Sequence, residues 1–185
     1  MERIDQEKSE NKNPFIEKIK YILSWTQKKV QLNEVYFNEK KGNSNRLYVS
    51  KGDIYYAYLG TNIGAEIDKS RPALIFQNDD RYLRQSNMIF IIPISTNVKP
   101  NPYKVIIRPF DIENNDGIEN SAVIIQQARS ISKNRLHKYK GHLSTEKIKE
   151  VGTVLYKFLY KDNPLQMEGD AQTTKMDAAK SVDIL

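Results

Sequence analysis

The chain has 185 residues, 39% of them hydrophobic, which is enough for one ordinary domain with a short appendage. It holds no cysteine and two histidines, His137 and His142; this removes disulfides, thiolate zinc sites and cysteine nucleophiles, and argues against a zinc enzyme or a histidine-pair nuclease. The net charge of +6 is unevenly spread: Arg129 to Lys161 carries nine Lys or Arg against two acids, whereas Asp162 to Leu185 carries five acids against two lysines, so the basic block suits either a polyanion or a solvated face, and the tail suits no polyanion.

Met1 to Lys12 is almost wholly polar and reads as disordered. No charged-then-apolar leader opens the chain and no apolar run approaches the roughly 20 residues of a membrane span, so a cytoplasmic protein is expected. Asn13-Pro14 looks like a helix cap followed by proline at the first helical position. Phe15, Ile19, Ile22 and Thr26, with Ile16, Leu23 and Val30 beside them, fall on a helical stripe. The spacing predicts a helix from Pro14 to near Gln31, docked on the following domain through Tyr21 and Trp25. The polar, turn-forming stretch Lys40–Ser50 reads as a linker.

Strand-like segments follow at Asp53–Leu59, Ala73–Phe76, Met88–Ile92, Tyr103–Ile107 and Ala122–Ile125, with a turn signal at Asn114–Gly117. With no helices between them, they favour a small antiparallel barrel over a parallel sheet. Ser144 then caps a helix whose Ile148, Val151, Leu155, Phe158 and Leu159 recur at helical spacing, and which stops at Lys161–Pro164. This helix should cover one face of the barrel. The expected organisation is a polar N-terminus, helix and linker over 1–50, the barrel domain over 51–161, and a flexible acidic tail over 162–185.

Three segments could carry chemistry. Gly64–Pro72 delivers Arg71 to the mouth of a buried strand, where Pro72 restricts its backbone. A fixed guanidinium can hold two phosphate oxygens and stabilise a five-coordinate phosphorus; a structural pairing of Arg71 with Glu66 or Asp68 is the competing reading. The strand Ile91–Ile94 ends in Ser95, Thr96 and Asn97, whose hydroxyls could position a phosphate and an attacking ribose 2′-OH, or could merely satisfy backbone groups. Finally, Gln126 and Gln127 are followed by Arg129, Lys133 and Arg135, amides that read base edges and cations that hold phosphates.

The order Gly52-Asp53-Ile54, Gly64-Ala65-Glu66, Ser70-Arg71-Pro72, Pro93-Ile94-Ser95, Gln127-Ala128-Arg129-Ser130-Ile131 and Gly141-His142-Leu143-Ser144 resembles the MazF/PemK toxins. The resemblance covers the barrel domain and omits the N-terminal helix and the acidic tail. It implies a mainly β, α+β fold: a small antiparallel SH3-like or CcdB-like barrel with a C-terminal helix, here preceded by an extra N-terminal one. It also implies a homodimer that cuts single-stranded RNA within short motifs, leaving 2′,3′-cyclic phosphate and 5′-hydroxyl ends, with no metal or cofactor, and that a partner antitoxin silences.

Carried over by position, Arg71 matches the catalytic arginine, Ser95 the catalytic threonine or serine, and Glu66 an acid linked to activity or loop ordering. Thr96, Asn97, Gln127, Arg129, Lys133 and Arg135 are the RNA-binding candidates, and the loops Leu59–Ser70 and Tyr82–Asn87 the groove walls. Gln126 stands where the family usually has an acid. Two rival functions use the same fold: a CcdB-like binder of DNA gyrase, and an inactive nucleic-acid-binding regulator. Neither needs the pair Arg71 and Ser95.

Overall fold

The computed structural model of the chain describes residues 13–40, 47–78 and 80–160. The polar N-terminal segment, most of the expected linker, and the helix stop and acidic tail from Lys161 onward lie outside the described residues. The chain divides into two compact units, one built from the N-terminal helix and the stretch Leu59–Lys69, the other from the rest of the described chain.

In the first unit, helix α1 spans Pro14–Lys40. Asn13 caps it, its Oδ1 accepting from the Phe15 N–H at 3.0 Å, and Pro14 costs nothing at the first helical position because its missing N–H would have no helical partner there. The helix runs nine residues past the expected stop near Gln31, since no glycine or proline interrupts the sequence before Gly42. One flank of α1 is engaged by the neighbouring stretch. Lys18 pairs with Asp68, the Thr61 hydroxyl donates to the Tyr21 carbonyl at 3.2 Å, and the Lys69 ammonium lies 4.2 Å from the Tyr21 ring centre. Trp25 packs so closely over Gly60 that a Cβ there would sit 2.8 Å from the indole. Trp25 thus packs within this unit, whereas Tyr21, 44% exposed, and the stripe of Phe15, Ile16, Ile22, Leu23 and Val30 are exposed.

The second unit is an antiparallel sheet with two helices, apart from Leu59, Gly60 and Lys69 at two strand ends, which belong to the first unit. Its strands are β1 (Asp53–Gly60), β2 (Lys69–Ile75), β3 (Met88–Ser95), β4 (Lys104–Ile107), β5 (Ile112–Glu113), β6 (Ser121–Ile124), β7 (Arg129–Ser132) and β8 (Leu136–Leu143). The hydrogen-bonded order is β4-β6-β3-β2-β1-β8-β5, with β7 added to the first half of β3. Laid flat, six inter-strand steps would hold β4 and β5 roughly 29 Å apart. Yet the chain from Ile107 to Ile112 joins them and can span at most about 18 Å. The sheet must therefore curl, and the expected small barrel is what results.

Its core is a set of branched aliphatics that alternate into the interior, among them Ile54, Leu74, Ile92, Ile94, Val105 and Val123. Helix α3 (Thr145–Leu159) closes one side. Ser144 caps it by accepting from the Lys147 N–H at 3.4 Å, Val151 is fully buried, and Ile148, Val154 and Leu155 pack against the same core. The Gly52-Asp53 and Gly141-His142 motifs prove to be one joint. Asp53 pairs with His142 in register, its Oδ1 lies 2.9 Å from His142 Nδ1, and its Oδ2 accepts from the Ser50 N–H at 2.7 Å. Gly52, at φ +99°, admits the His142 ring and Ile148 to within 2.8 Å of where a Cβ would stand.

Two elements differ from expectation. The segment expected to be a loop over Tyr82–Asn87 is largely helical, α2 spanning Asp80–Gln85, because Leu83 at 1% exposure finds a buried place there. The basic stretch after Gln127 holds β7 and β8: Ile131, Leu136, Lys140 and Leu143 point inward between polar residues that face outward.

Candidate active site

Strands β2 and β3 pair in the register Ala73 with Pro93, Leu74 with Ile92 and Ile75 with Ile91. Two residues further toward the start of β2 and the end of β3, the same register sets Arg71 opposite Ser95. Side chains directly opposite share a face of the sheet, and both residues line one cleft of about 150 Å³. Arg71 lies inside β2, not in the loop before it as its sequence context suggested. Pro72 follows it, favours an extended backbone at Arg71, and itself contributes to the cleft.

At the end of β3, the Ser95 hydroxyl accepts from the Asn97 N–H at 3.2 Å, which leaves its proton to donate to a ligand oxygen. Asn97 Oδ1 accepts from the Lys99 N–H at 3.2 Å and its carbonyl from the Lys104 ammonium at 3.2 Å, so the chain leaving Ser95 is tied down. Thr96 is exposed and lines the cleft.

The cleft also gathers side chains that the sequence did not single out. Tyr56 reaches it from β1, and Glu119 and Ser121 from the turn into β6. Glu119 brings a carboxylate, exposed to solvent, into a site that otherwise offers hydroxyls and one guanidinium. Next to Arg71, Ser70 Oγ lies 2.7 Å from His137 Nε2, and the His137 ring stacks on Tyr58 at 4.3 Å between centroids. Strand β8 thereby fixes the start of β2.

The other candidates fall elsewhere. Glu66 belongs to the unit containing α1, where its carboxylate accepts from the Ile63 N–H at 3.3 Å and so orders its own loop. The Lys133 ammonium, expected to hold phosphate, is buried and donates to the Leu83 carbonyl of α2. Arg135 is half-buried and donates through Nε to the Tyr58 carbonyl at 2.6 Å; burial, and then the neighbouring Arg129 charge, pull its pKa down. Gln127 ends a 3-10 turn and Arg129 opens β7 beside Ile91 of β3. Both are half-buried, and neither lines the cleft. Among the described residues, no three His, Asp or Glu side chains cluster as metal ligands would, and no helix is long and apolar enough to cross a membrane.

A family model described as the PemK-like, MazF-like toxin of type II toxin-antitoxin systems matches residues 50–159. The chain is 27% identical over 113 residues to the endoribonuclease EndoA of Bacillus subtilis, covering 59% of this chain and 92% of that protein. It is also 27% identical over 115 residues to the endoribonuclease MazF of Staphylococcus saprophyticus, covering 57% and 86%. A solved MazF structure from Deinococcus radiodurans superposes with a TM-score of 0.53 at 18% identity, covering 62% of this chain and 98% of that one. At that identity the superposition speaks for the fold.

Proposed function

Because the chain belongs to the PemK-like, MazF-like toxins of type II toxin-antitoxin systems, we propose that its barrel is a sequence-specific endoribonuclease. It cleaves single-stranded RNA without a metal ion, leaves 2′,3′-cyclic phosphate and 5′-hydroxyl ends, works as a cytoplasmic homodimer, and is neutralised by a cognate antitoxin. The observation that carries this reading is the placement of Arg71 and Ser95 on adjacent strands in one cleft. The names of its relatives, endoribonucleases both, support the same reaction.

The chemistry follows from the groups present. The ribose 2′-oxygen attacks the adjacent phosphorus, a new P–O2′ bond forms, and the P–O5′ bond breaks. Arg71 donates to two phosphate oxygens and stabilises the charge that builds on the five-coordinate phosphorus. Ser95 donates to a non-bridging oxygen and sets the angle of attack. Glu119 accepts the 2′-proton, and the departing 5′-oxygen takes a proton from water. Thr96 and Asn97 contact the nucleotides beside the scissile phosphate. Glu66 orders its loop, and Lys133 holds the fold instead of touching RNA.

The test is cleavage of a mixed single-stranded RNA pool by the purified protein and by Arg71→Ala, with chelator present and product ends mapped. Discrete cuts with cyclic phosphate ends that vanish in the variant support the proposal and reveal the motif. No cutting by folded wild-type protein would transfer the argument to a gyrase-binding or regulatory function, and loss of cutting with chelator would refute the metal-free chemistry.

A further inference from the structure

The helix α1 lies outside the segment that the family model matches, and among the described residues one face of it is exposed. Counting by alternating threes and fours, Ile16, Ile19, Leu23, Val30 and Phe37 fall on a single seam, completed by Thr26 and Asn33. This is the heptad spacing of a two-stranded coiled coil, with Ile16, Leu23, Val30 and Phe37 at one core position and Ile19, Thr26 and Asn33 at the other. Leu23 and Val30 are each 65% exposed, Phe37 59% and Ile16 51%. Lys18, Tyr21 and Trp25, whose contacts tie α1 to the rest of its unit, lie off the seam. An exposed apolar stripe of this length, widened by the neighbouring Phe15 and Ile22, marks an interaction site, and at 27 residues α1 is close to four heptads long.

We propose that this seam pairs with the same seam of a second copy of the chain, in parallel and in register. The charges flanking it favour that occupant. Lys29 and Glu34 border the seam on opposite sides, five residues apart, which is the separation at which flanking residues meet across a parallel pair. Each helix therefore presents its Lys29 to the other's Glu34, twice by symmetry. Asn33 favours the same register. Its amide already donates one hydrogen to the Lys29 carbonyl at 2.8 Å, and in a parallel pair the second hydrogen meets the oxygen of the facing Asn33. In an antiparallel pair, Asn33 would instead lie against Leu23 and bury an unsatisfied amide. The pairing is independent of the ribonuclease reading, because none of its residues belongs to the cleft.

The chain has no cysteine of its own, so a single introduced cysteine in the full chain can cross-link only to its counterpart. Pairing raises the local concentration of facing thiols to about the millimolar range. At micromolar protein, Val30→Cys on the seam should thus form an interchain disulfide about a hundredfold faster than Ser24→Cys, exposed off the seam. In the Val30→Cys background, Lys29→Glu should suppress the cross-link by placing like charges opposite each other, and adding Glu34→Lys should restore it. A restored cross-link establishes the parallel pair. Equal cross-linking at both cysteines, no cross-link at residue 30, or failure of the charge swap to restore it would each overturn the proposal, including the case in which the seam binds a different chain.

Discussion

A guanidinium helps at a scissile phosphate only if it arrives already oriented, because ordering a long side chain during the reaction consumes the stabilisation it offers. The backbone of Arg71 is held within β2, ahead of Pro72, and the residue lines the same cleft as Ser95. Arg71→Ala should lower kcat by about 100- to 1000-fold with an unchanged melting temperature, and Arg71→Lys should recover little, since an ammonium cannot bridge two oxygens in a plane. Ser95→Ala should cost less, and Ser95→Thr should be nearly neutral. Single-turnover cleavage of one defined RNA ranks all four; a Ser95→Ala loss exceeding that of Arg71→Ala would reverse the assigned roles. Glu119→Gln should lower kcat by about 100-fold if it takes the 2′-proton, and leave the RNA dissociation constant unchanged. Arg71 and Ser95 were marked in the sequence by a backbone signal, a proline in one case and the end of an apolar run in the other, and singled out from other candidates by the family resemblance. Glu119 was not, because the turn Gly117–Asn120 reads only as a turn until the barrel curls it toward β2.

At the scale of elements, one of the groups that tie α1 to its unit titrates. Burial alone would raise the pKa of Asp68, but hydrogen bonds from Lys18 and the Asn62 N–H, with the charges of Lys18 and Lys69, outweigh it and leave the carboxyl below its usual value. A depressed folded-state pKa adds stability that is complete above the ordinary aspartate range near 4 and is lost as pH falls through the lowered value. Trp25, the only tryptophan, packs on Gly60 in the same unit and reports the loss. Its fluorescence should shift toward that of exposed indole on acidification below pH ~4, whereas Asp68→Asn should show the shifted emission already at neutral pH; identical titrations would exclude the Lys18 tie. A second element-level outcome concerns Gly141 at φ +129°, where a Cβ would meet the Glu113 carbonyl at 2.7 Å. Gly141→Ala should cost about 1–3 kcal/mol in urea unfolding. The sequence revealed the apolar strands and the capped α3, since their periodicity is local. It hid the last third of α1, beyond the stripe that was read to Val30, although no breaker intervenes. It hid β7 and β8 as well, because their mix of cations, histidines and serines resembles a solvated loop until Ile131, Leu136, Lys140 and Leu143 are seen to be buried.

For the molecule as a whole, the nine cations between Arg129 and Lys161 suited either a polyanion or a solvated face. Five of them have partners within the protein. Lys133 is buried on the Leu83 carbonyl, Arg135 donates to the Tyr58 carbonyl, Lys138 and Lys140 share Asp116, and Lys147 pairs with Glu150. Composition cannot separate a cation that closes a barrel from one that waits for phosphate, because both raise the net charge by one. The salt dependence of RNA binding can, since each phosphate neutralised on a single strand contributes about −0.7 to the slope of log K against log salt concentration. Nine contacts would give a slope near −6, whereas Arg71 and two or three other cations would give about −2 to −3. We expect the shallower value for the full chain on a short single-stranded RNA. Lys133→Met should lower the melting temperature, because Leu83 loses its donor, yet leave that slope unchanged; Arg71→Ala should do the opposite. A slope near −6 that Lys133→Met made shallower would return the basic block to the RNA-binding surface and remove it from the framework of the barrel.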